Sequence, residues 1–470
     1  MKKITEREIV FSKLSQIDDV GRLFYWRDGV YRGINANAVQ KVIDLLESGL
    51  IEKLSAHGIF PVTTVTDFVT NEFPLVIQHE KLPFVSYPFE WSFTMFQEAA
   101  ELVIRISEIS AKYGFGLKDC HPYNILFRGT LPVYVDLGSF ERLPSRSTAI
   151  TIPSFLNCYW MPLAIWASGD DFLAKRIIAS AHEIMPTHSW MLYKHTATRL
   201  FTQQHIIQLS KWKAYLEELA SHIVSQLSKL EALNKIHAYL PAEILLKSPK
   251  LIKKKISKLN KKANRTTWGN YHSEYIHNGT IRSTCRFDRV LDIIRNLNCE
   301  SAVDLAGNQG VLSFLIVSRT QVKKVICADF DCDAIEQFYK TCVETNLIPK
   351  GKLLLPAIFD LMVPEVNFYT APPSSRFESD LVLALAVTHH LTLSQGFSFR
   401  DVIQMIASYT HKYALIEFMP MGLWDGTSSP PTPHWYTIEG FQQLFGEFFE
   451  LLAVEEVETN RLLHLGRIRS

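Results

Sequence analysis

Five short apolar runs, spaced so that helices fit between most of them, constrain the fold of residues 268–470 more than any other feature of the chain. They lie at residues 301–305, 324–328, 352–358, 381–386 and 413–418. Near-continuous apolar runs of this length suit strands covered on both faces, as in parallel sheets. Their alternation with helical patterns predicts the α/β class, with a doubly wound, Rossmann-like sheet. Such sheets bind ligands outside the carboxyl ends of their strands.

The chemistry-bearing residues fall at those ends. The first strand runs into Asp304-Leu305-Ala306-Gly307-Asn308-Gln309-Gly310 and then a helical pattern. Gly307 and Gly310 let this loop turn tightly and come close to a ligand. The second strand ends in Asp329, an acid placed to accept hydrogen bonds from both hydroxyls of a ribose. The third ends in Asp360, which can take up an adenine amino group. The fourth carries Ala384 and leads into Thr388-His389-His390, and the fifth ends near Glu417.

This order of loop, acid, acid and polar strand end resembles the class I S-adenosylmethionine-dependent methyltransferases over roughly residues 268–457. The loop is close to that family's D-x-G-x-x-x-G, with Ala306 in place of a common glycine. Its spacing departs from the G-x-G-x-x-G of nicotinamide-binding folds. The stretches SDLVLALAVTHHL, ALIEFMP, TTWGNYHSEY, FVSYPFEWSF and LKDCHPYNILFRGTLPVYVDLGSF resemble a narrower group, the nodulation-protein-type methyltransferases with an extra N-terminal domain. The resemblance carries a reaction class and no acceptor. It implies S-adenosylmethionine as cofactor, held by Asp304, Ala306, Gly307, Asn308, Gly310, Asp329, Asp360 and Ala384. Methyl transfer from a sulfonium is an in-line displacement, so positioning supplies most of the catalysis. His389 and His390 are the candidate bases for a hydroxyl acceptor; the alternative is that one packs and the other only lines the pocket. Glu417 orients a histidine, binds substrate or caps its strand. Trp268 and Tyr271 cover the cofactor or pack into the core.

Residues 1–140 read differently. Residues 23–34 form an expected hairpin with Asp28-Gly29 at its turn. Residues 39–54 and 94–113 have helical spacing; in the second, Phe96, Ala99, Ala100, Val103, Ile104, Ile106 and Ile109 share a face. Residues 83–88 read as extended, and short strands are expected at 124–127 and 133–135. Between helix and hairpin lies Lys118-Asp119-Cys120-His121-Pro122-Tyr123-Asn124, and Asp136-Leu137-Gly138 follows the second strand. The pattern resembles the protein-kinase-like fold, above all the small-molecule and sugar kinases with D-x-H-P-x-N. That resemblance implies an α+β domain binding ATP and Mg²⁺. Asp119 would orient the attacking hydroxyl, Asn124 and Asp136 would hold the metal, and residues 86–92 would form an adenine-binding hinge. The sequence departs from the pattern: no Gly-rich loop is present, and Arg32, or else Arg27, stands where a lysine belongs. An arginine does not simply replace that lysine. Glu47 is the expected helix partner.

Composition limits the rest. The 470 residues predict two or three domains. Lys+Arg is 49 against Asp+Glu 48, too balanced for a dedicated nucleic-acid binder. Seven cysteines without a CxxC pair argue against a disulfide framework or a cysteine zinc site. No apolar run approaches the roughly 20 residues that span a bilayer. Glu6 and Glu8 stand where a secretory signal needs apolar residues.

The expected organisation is a kinase-like domain at 1–246, with a small N-lobe at about 1–88 and a helical C-lobe at about 89–246. A linker follows at 247–267 and a methyltransferase domain at 268–470. The linker holds eight lysines and one arginine and no acid; it reads as solvated, or as a patch for an anionic substrate or membrane surface. The expected protein is a cytoplasmic enzyme that methylates oxygen on a carbohydrate or small polar metabolite. A bifunctional kinase–methyltransferase and a non-catalytic nucleotide-binding scaffold are the alternatives. Sequence gives no oligomeric state.

Overall fold

The computed structural model describes residues 2–15, 18–143, 152–180, 249–261, 266, 268–269, 271–277, 280–345, 347–367 and 369–469. The helical character expected of 181–246 lies outside them.

The N-terminal half begins with a five-stranded antiparallel sheet. Its strands are β1 (Val10–Phe11), β2 (Gly21–Trp26), β3 (Gly29–Ile34), β4 (Thr63–Val65) and β5 (Leu75–His79), in the order β1-β2-β3-β5-β4. The β2–β3 hairpin pairs Trp26 with Gly29, so its turn residues are Arg27 and Asp28, one position earlier than expected. Arg27 takes the left-handed φ of 52°. The helical stretch after β3 is divided at Gly49, at φ 77°, into α1 (Val39–Glu47) and α2 (Leu50–Ala56).

Next comes α3 (Phe93–Lys112), capped by Ser92. Its buried face includes Phe96, Ala99, Ala100, Val103, Ile104 and Ile106, as the apolar spacing requires. The hairpin of β6 (Ile125–Arg128) and β7 (Leu131–Tyr134) follows.

Residues 249–261 correct the linker expectation. They contain α4 (Pro249–Ile256), which buries Ile252 and Ile256. Gln97 on α3 donates to the carbonyls of Ile256 at 2.5 Å and Leu259 at 3.2 Å. Lys261 is buried between Asp171, at 2.8 Å, and Asp333. Two apolar residues four apart thus pin a lysine-rich helix, while Lys253 and Lys254 stay in solvent.

The C-terminal half is α/β. Its sheet holds β8 (Ser301–Leu305), β9 (Lys324–Asp329), β10 (Leu353–Ile358), β11 (Ser379–Ala384), β12 (Thr410–Phe418), β13 (Phe449–Glu458) and β14 (Arg461–Ile468). The order is β10-β9-β8-β11-β12-β14-β13; the first five strands are parallel, and β14 runs antiparallel to both its neighbours.

Alternation along each strand divides the core. Ala302, Val325, Cys327, Leu381 and Leu383 face a cluster with α5 (Cys285–Arg295), α6 (Val311–Arg319) and α7 (Cys332–Glu344). Val303, Leu305, Ile326, Val382 and Ala384 face the opposite way. There they join one continuous cluster with α8 (Phe399–Ala407), α9 (Ile438–Phe448) and the N-terminal Trp91, Phe96 and Phe127. The N-terminal half therefore completes the core on one face of the C-terminal sheet. Polar links fix the contact: Thr94 donates to Glu336, Tyr339 to Glu98, and Arg376 is paired with Glu90. No helix among the described residues is long and apolar enough to cross a membrane.

Candidate functional site

A pocket of about 590 Å³ opens over the carboxyl ends of β8, β9, β11 and β12. That volume suits a small molecule or cofactor. Reversal of strand order on either side of β8 makes the crevice: β8 connects first to β9 and β10, and the chain then returns to β11 on its other side.

The 304–310 loop forms one wall. Ala306 and Asn308 adopt left-handed φ values of 57° and 51°, and Gly310 sits at 67°. A Cβ on Gly310 would fall 2.1 Å from the Phe338 ring, and one on Gly307 would fall 2.6 Å from Cys327 Sγ. The loop therefore packs closely on β9 and α7 only with glycine at both positions. Ala386, at φ 54°, lies in the opposite wall. Five non-glycine residues among those described have positive φ, and Ala306, Asn308 and Ala386 all line this pocket. Such conformations cost of order 1–3 kcal/mol each and concentrate at ligand sites.

Two buried acids lie at this end. Asp329 accepts from the backbone N–H of Asn308 and of Asp331, each at 2.9 Å. Burial raises its pKa to about 6, against the pull of those donors. Burial raises Asp304 to about 7, although the Ser313 hydroxyl donates to it at 2.7 Å. Both folded-state values exceed the unfolded one. Their stabilising contribution is therefore full only below the ordinary aspartate range and fades as pH rises through about 6 and about 7. Asp360 lines the pocket with an exposed carboxylate, anchored by the N–H groups of Met362 and Val363.

His389 and His390 stand across from the loop, their rings 4.1 Å apart. His390 meets the Trp268 ring at 5.2 Å, and Trp268 meets Tyr271 at 5.6 Å. Burial, with help from His390 and Arg461, lowers His389 to about 3; burial also lowers His390. Both rings are therefore neutral near pH 7, and His389 is a weak base.

Glu417 sits outside the lining and fully buried. It accepts from Arg286 at 3.0 and 3.1 Å, from Arg461 at 2.7 Å and from the Ala386 N–H at 2.8 Å. Among its described contacts it orients two arginines and a strained backbone, and no histidine. Ala384 is buried within β11, two residues before the lining residue Ala386, and Gly310 lies behind the lining as the N-cap of α6. Arg286 and Arg461 escaped the sequence reading. The first stands before the Asp304 strand and the second far beyond the motifs, and only the fold brings them to Glu417.

The pocket residues fit a polar cofactor. Asn308 Oδ1, His272 Nδ1 and His389 Nδ1 are buried without a protein partner, and all three residues line the pocket. Buried polar atoms ordinarily find partners, so this coincidence points to a bound group that supplies them.

The N-terminal constellation also converges. The Ser139 hydroxyl donates to Asp136, and the Asn124 amide donates to Ser139 at 3.2 Å. Asp119 accepts from the His121 N–H at 2.9 Å. The expected partner of Arg32 is corrected: Arg32 pairs with Asp18 and, at 2.9 Å, with Asp136, and Glu47 is not its partner. A guanidinium thus already neutralises the principal carboxylate, and the Asn124 amide offers its donor side to its neighbours. This arrangement does not fit Mg²⁺. Among the described residues, no group of three or more His, Cys, Asp or Glu side chains could hold a metal. The 86–92 segment is covered: Arg376 Nη1 donates to the Val85 carbonyl at 2.5 Å and to Glu90 at 2.9 Å, and Tyr87 Oη accepts from the Ala371 N–H at 3.3 Å.

Comparison with known proteins gives the following likenesses. No family model matches the chain. It is 23% identical over 428 residues to nodulation protein NoeA of Rhizobium meliloti strain 1021, a match covering 86% of this chain and 83% of that one. Among solved structures, the N-methyltransferase NodS of Bradyrhizobium japonicum WM9 matches at 13% identity, over 39% of this chain and 97% of its own, with a TM-score of 0.28. An O-methyltransferase family protein of Burkholderia thailandensis matches at 18% identity, over 39% of this chain and 56% of its own, with a TM-score of 0.28.

Proposed function

We propose that the C-terminal half is an S-adenosylmethionine-dependent methyltransferase acting on oxygen of a carbohydrate or small polar metabolite. The observation that carries the reading is the buried Asp329 carboxylate at the end of β9, hydrogen-bonded to the 306–308 loop and lining one pocket with it. The parallel run β10-β9-β8-β11-β12, with helices packed on both sides, supports a doubly wound arrangement. In this reading Asp329 receives the ribose hydroxyls, Asp360 and Leu361 border the adenine, and Trp268 closes over the site. The cofactor supplies an activated methyl group. The protein's part is to align the acceptor oxygen with it and to exclude water. His390 is the better placed of the two histidines to take a hydroxyl proton, because its neighbour is held at a pKa of about 3. His389 accepts or donates one hydrogen bond as a neutral ring.

For the N-terminal half we propose a degenerate kinase-like module that buttresses the methyltransferase. In this reading the two domains span about 1–246 and 268–470. The pairing of Arg32 with Asp136 favours this over phosphotransfer. It also weighs against the bifunctional alternative, which needs that carboxylate for Mg²⁺.

A thermal-shift panel tests both halves of the proposal. S-adenosylmethionine and S-adenosylhomocysteine should each raise the melting temperature. A ligand at 100 times its dissociation constant stabilises by about 2.7 kcal/mol. ATP with Mg²⁺ should leave melting unchanged. A shift with ATP-Mg²⁺ that disappears in Asp136→Asn would restore the phosphotransfer reading, and no shift with either sulfur nucleoside would remove the methyltransferase.

A further inference from the structure

The roles just assigned leave Arg286 and Arg461 unused, yet both line the pocket. Glu417 sets one negative charge against their two positive ones. Its four acceptor positions are filled by Arg286 Nε and Nη2, Arg461 Nη1 and the Ala386 N–H. Arg286 Nη1 and Arg461 Nη2 have no described hydrogen-bond partner. Three other carboxylates lie nearby. Asp304 is buried in the same pocket and feels the charge of Arg286, but burial raises its pKa to about 7. Glu458 is 3.3 Å from Arg461 Nε, but its side chain is 44% exposed. Asp425 lines the pocket, but its oxygens are spent on Thr427 and Ser428 of its own loop. The wall therefore sets two guanidinium groups, each with an unspent donor, against one fully buried carboxylate.

A second observation points to a ligand at the same wall. His389 is 5% exposed and its Nδ1 has no partner. His272, which lines the same pocket, has a buried Nδ1 in the same condition. His389, His272, Arg461 and Arg286 all line this one pocket, and the positive charges of Arg461 and Arg286 help to lower the proton affinity of His389 and His272 respectively.

Position separates this wall from the cofactor's acid. Asp329 ends β9, whereas Glu417 lies on β12 and Arg461 opens β14. β8 and β11 stand between β9 and β12, so three strand spacings, roughly 14 Å, separate the two ends. The reacting centre of a cofactor seated on Asp329 would fall between them, and the wall then faces the acceptor.

We propose that Arg286, Arg461 and His389 form an anion subsite, and that the methyl acceptor carries a carboxylate or phosphate group received there. Glu417 presets the two guanidinium planes and leaves one edge of each for the oxyanion, the geometry in which arginine binds such groups bidentately. Calling the ligand the acceptor rests on the methyltransferase reading; the anion subsite itself does not.

The test is a calorimetric titration of inorganic phosphate, and separately of acetate, at ionic strength held constant with chloride. It uses wild-type protein, both free and saturated with S-adenosylhomocysteine. Saturable binding of one anion is expected in both forms. Phosphate alone would indicate a phosphorylated acceptor, and acetate alone a carboxylated one. Arg461→Gln should weaken that binding at least tenfold while S-adenosylhomocysteine affinity stays the same. If Arg461→Gln does not fold, Arg461→Lys keeps the charge beside Glu417 and should still lose tenfold, because the second edge is gone. Absence of saturable binding in wild type, or unchanged binding in the folded variant, overturns the subsite. A tenfold loss of S-adenosylhomocysteine affinity in the variant also overturns it, since the arginines would then hold the cofactor's own carboxylate. If S-adenosylhomocysteine does not bind wild type at all, the methyltransferase reading fails, and the titration of free protein still decides the subsite.

Discussion

Glu417→Ala should lower the unfolding free energy by about 3–5 kcal/mol, the range for breaking a buried charge pair by removing one partner. The loss arises because Arg286 and Arg461, with side chains only 12% and 17% exposed, would face each other without the anion between them. The Ala386 N–H would lose its acceptor too, at a residue whose left-handed φ already needs support. Urea unfolding followed by tryptophan fluorescence reads the change directly. Glu417→Gln keeps an acceptor for Ala386 and should fall between the two. A loss below about 1 kcal/mol for the alanine variant would mean that the arginines reach solvent freely and that the cluster is not preset.

Arg376→Ala should be comparably severe, again about 3–5 kcal/mol, for a pair that joins the two halves of the molecule. Glu90 is fully buried and Arg376 nearly so. Arg376 also bonds the carbonyls of Val85 and Ala371, and its guanidinium lies 4.2 Å from the centre of the Tyr87 ring. Removing it leaves a buried carboxylate with the Tyr87 N–H as its remaining described donor. The double variant Glu90→Gln/Arg376→Met should recover most of the loss, because no uncompensated charge remains. A strongly negative coupling in that double-mutant cycle is the expected signature; additive losses would contradict the pair as the link between the halves.

What could be read from sequence follows a physical division. The five parallel strands were legible because burial on both faces makes them apolar along their length, and their observed ends move by no more than three residues. β13 and β14 were not. β13 reads FELLAVEEVE, with four acids, and lies at the sheet edge with Leu451, Leu452 and Val454 exposed. An edge strand that is half solvated carries neither an unbroken apolar run nor a clean alternation. The 249–256 helix was hidden for a related reason: its lysines dominate the composition, whereas Ile252 and Ile256 decide its packing. Asp329, Asp360 and the glycine loop could be named because they follow strands at fixed offsets. The partner of Arg32 could not, since Asp18, Glu47 and Asp136 are equally plausible acids until the chain is folded. Glu417 was found, but its work was not, because both arginines that define it come from distant segments.

Calorimetric titration of the wild-type protein with S-adenosylmethionine across pH, beside Asp329→Ala, decides whether this pocket holds the cofactor. Wild type should bind one equivalent near pH 7.5. Because burial lifts the Asp329 pKa to about 6, the carboxylate proposed to accept the ribose hydroxyls is lost unusually early on acidification. Affinity should therefore fall by about tenfold per pH unit below that point, as a single protonation requires. Asp329→Ala should bind more weakly by roughly 1.5–3 kcal/mol, the worth of a hydrogen bond to a charged group, and its pH profile should lose the fall near 6 and keep only what Asp304, with a pKa of about 7 in the same pocket, contributes. Absence of binding at pH 7.5, or equal affinity and an equal pH profile in the variant, would contradict the assignment of this pocket to the cofactor.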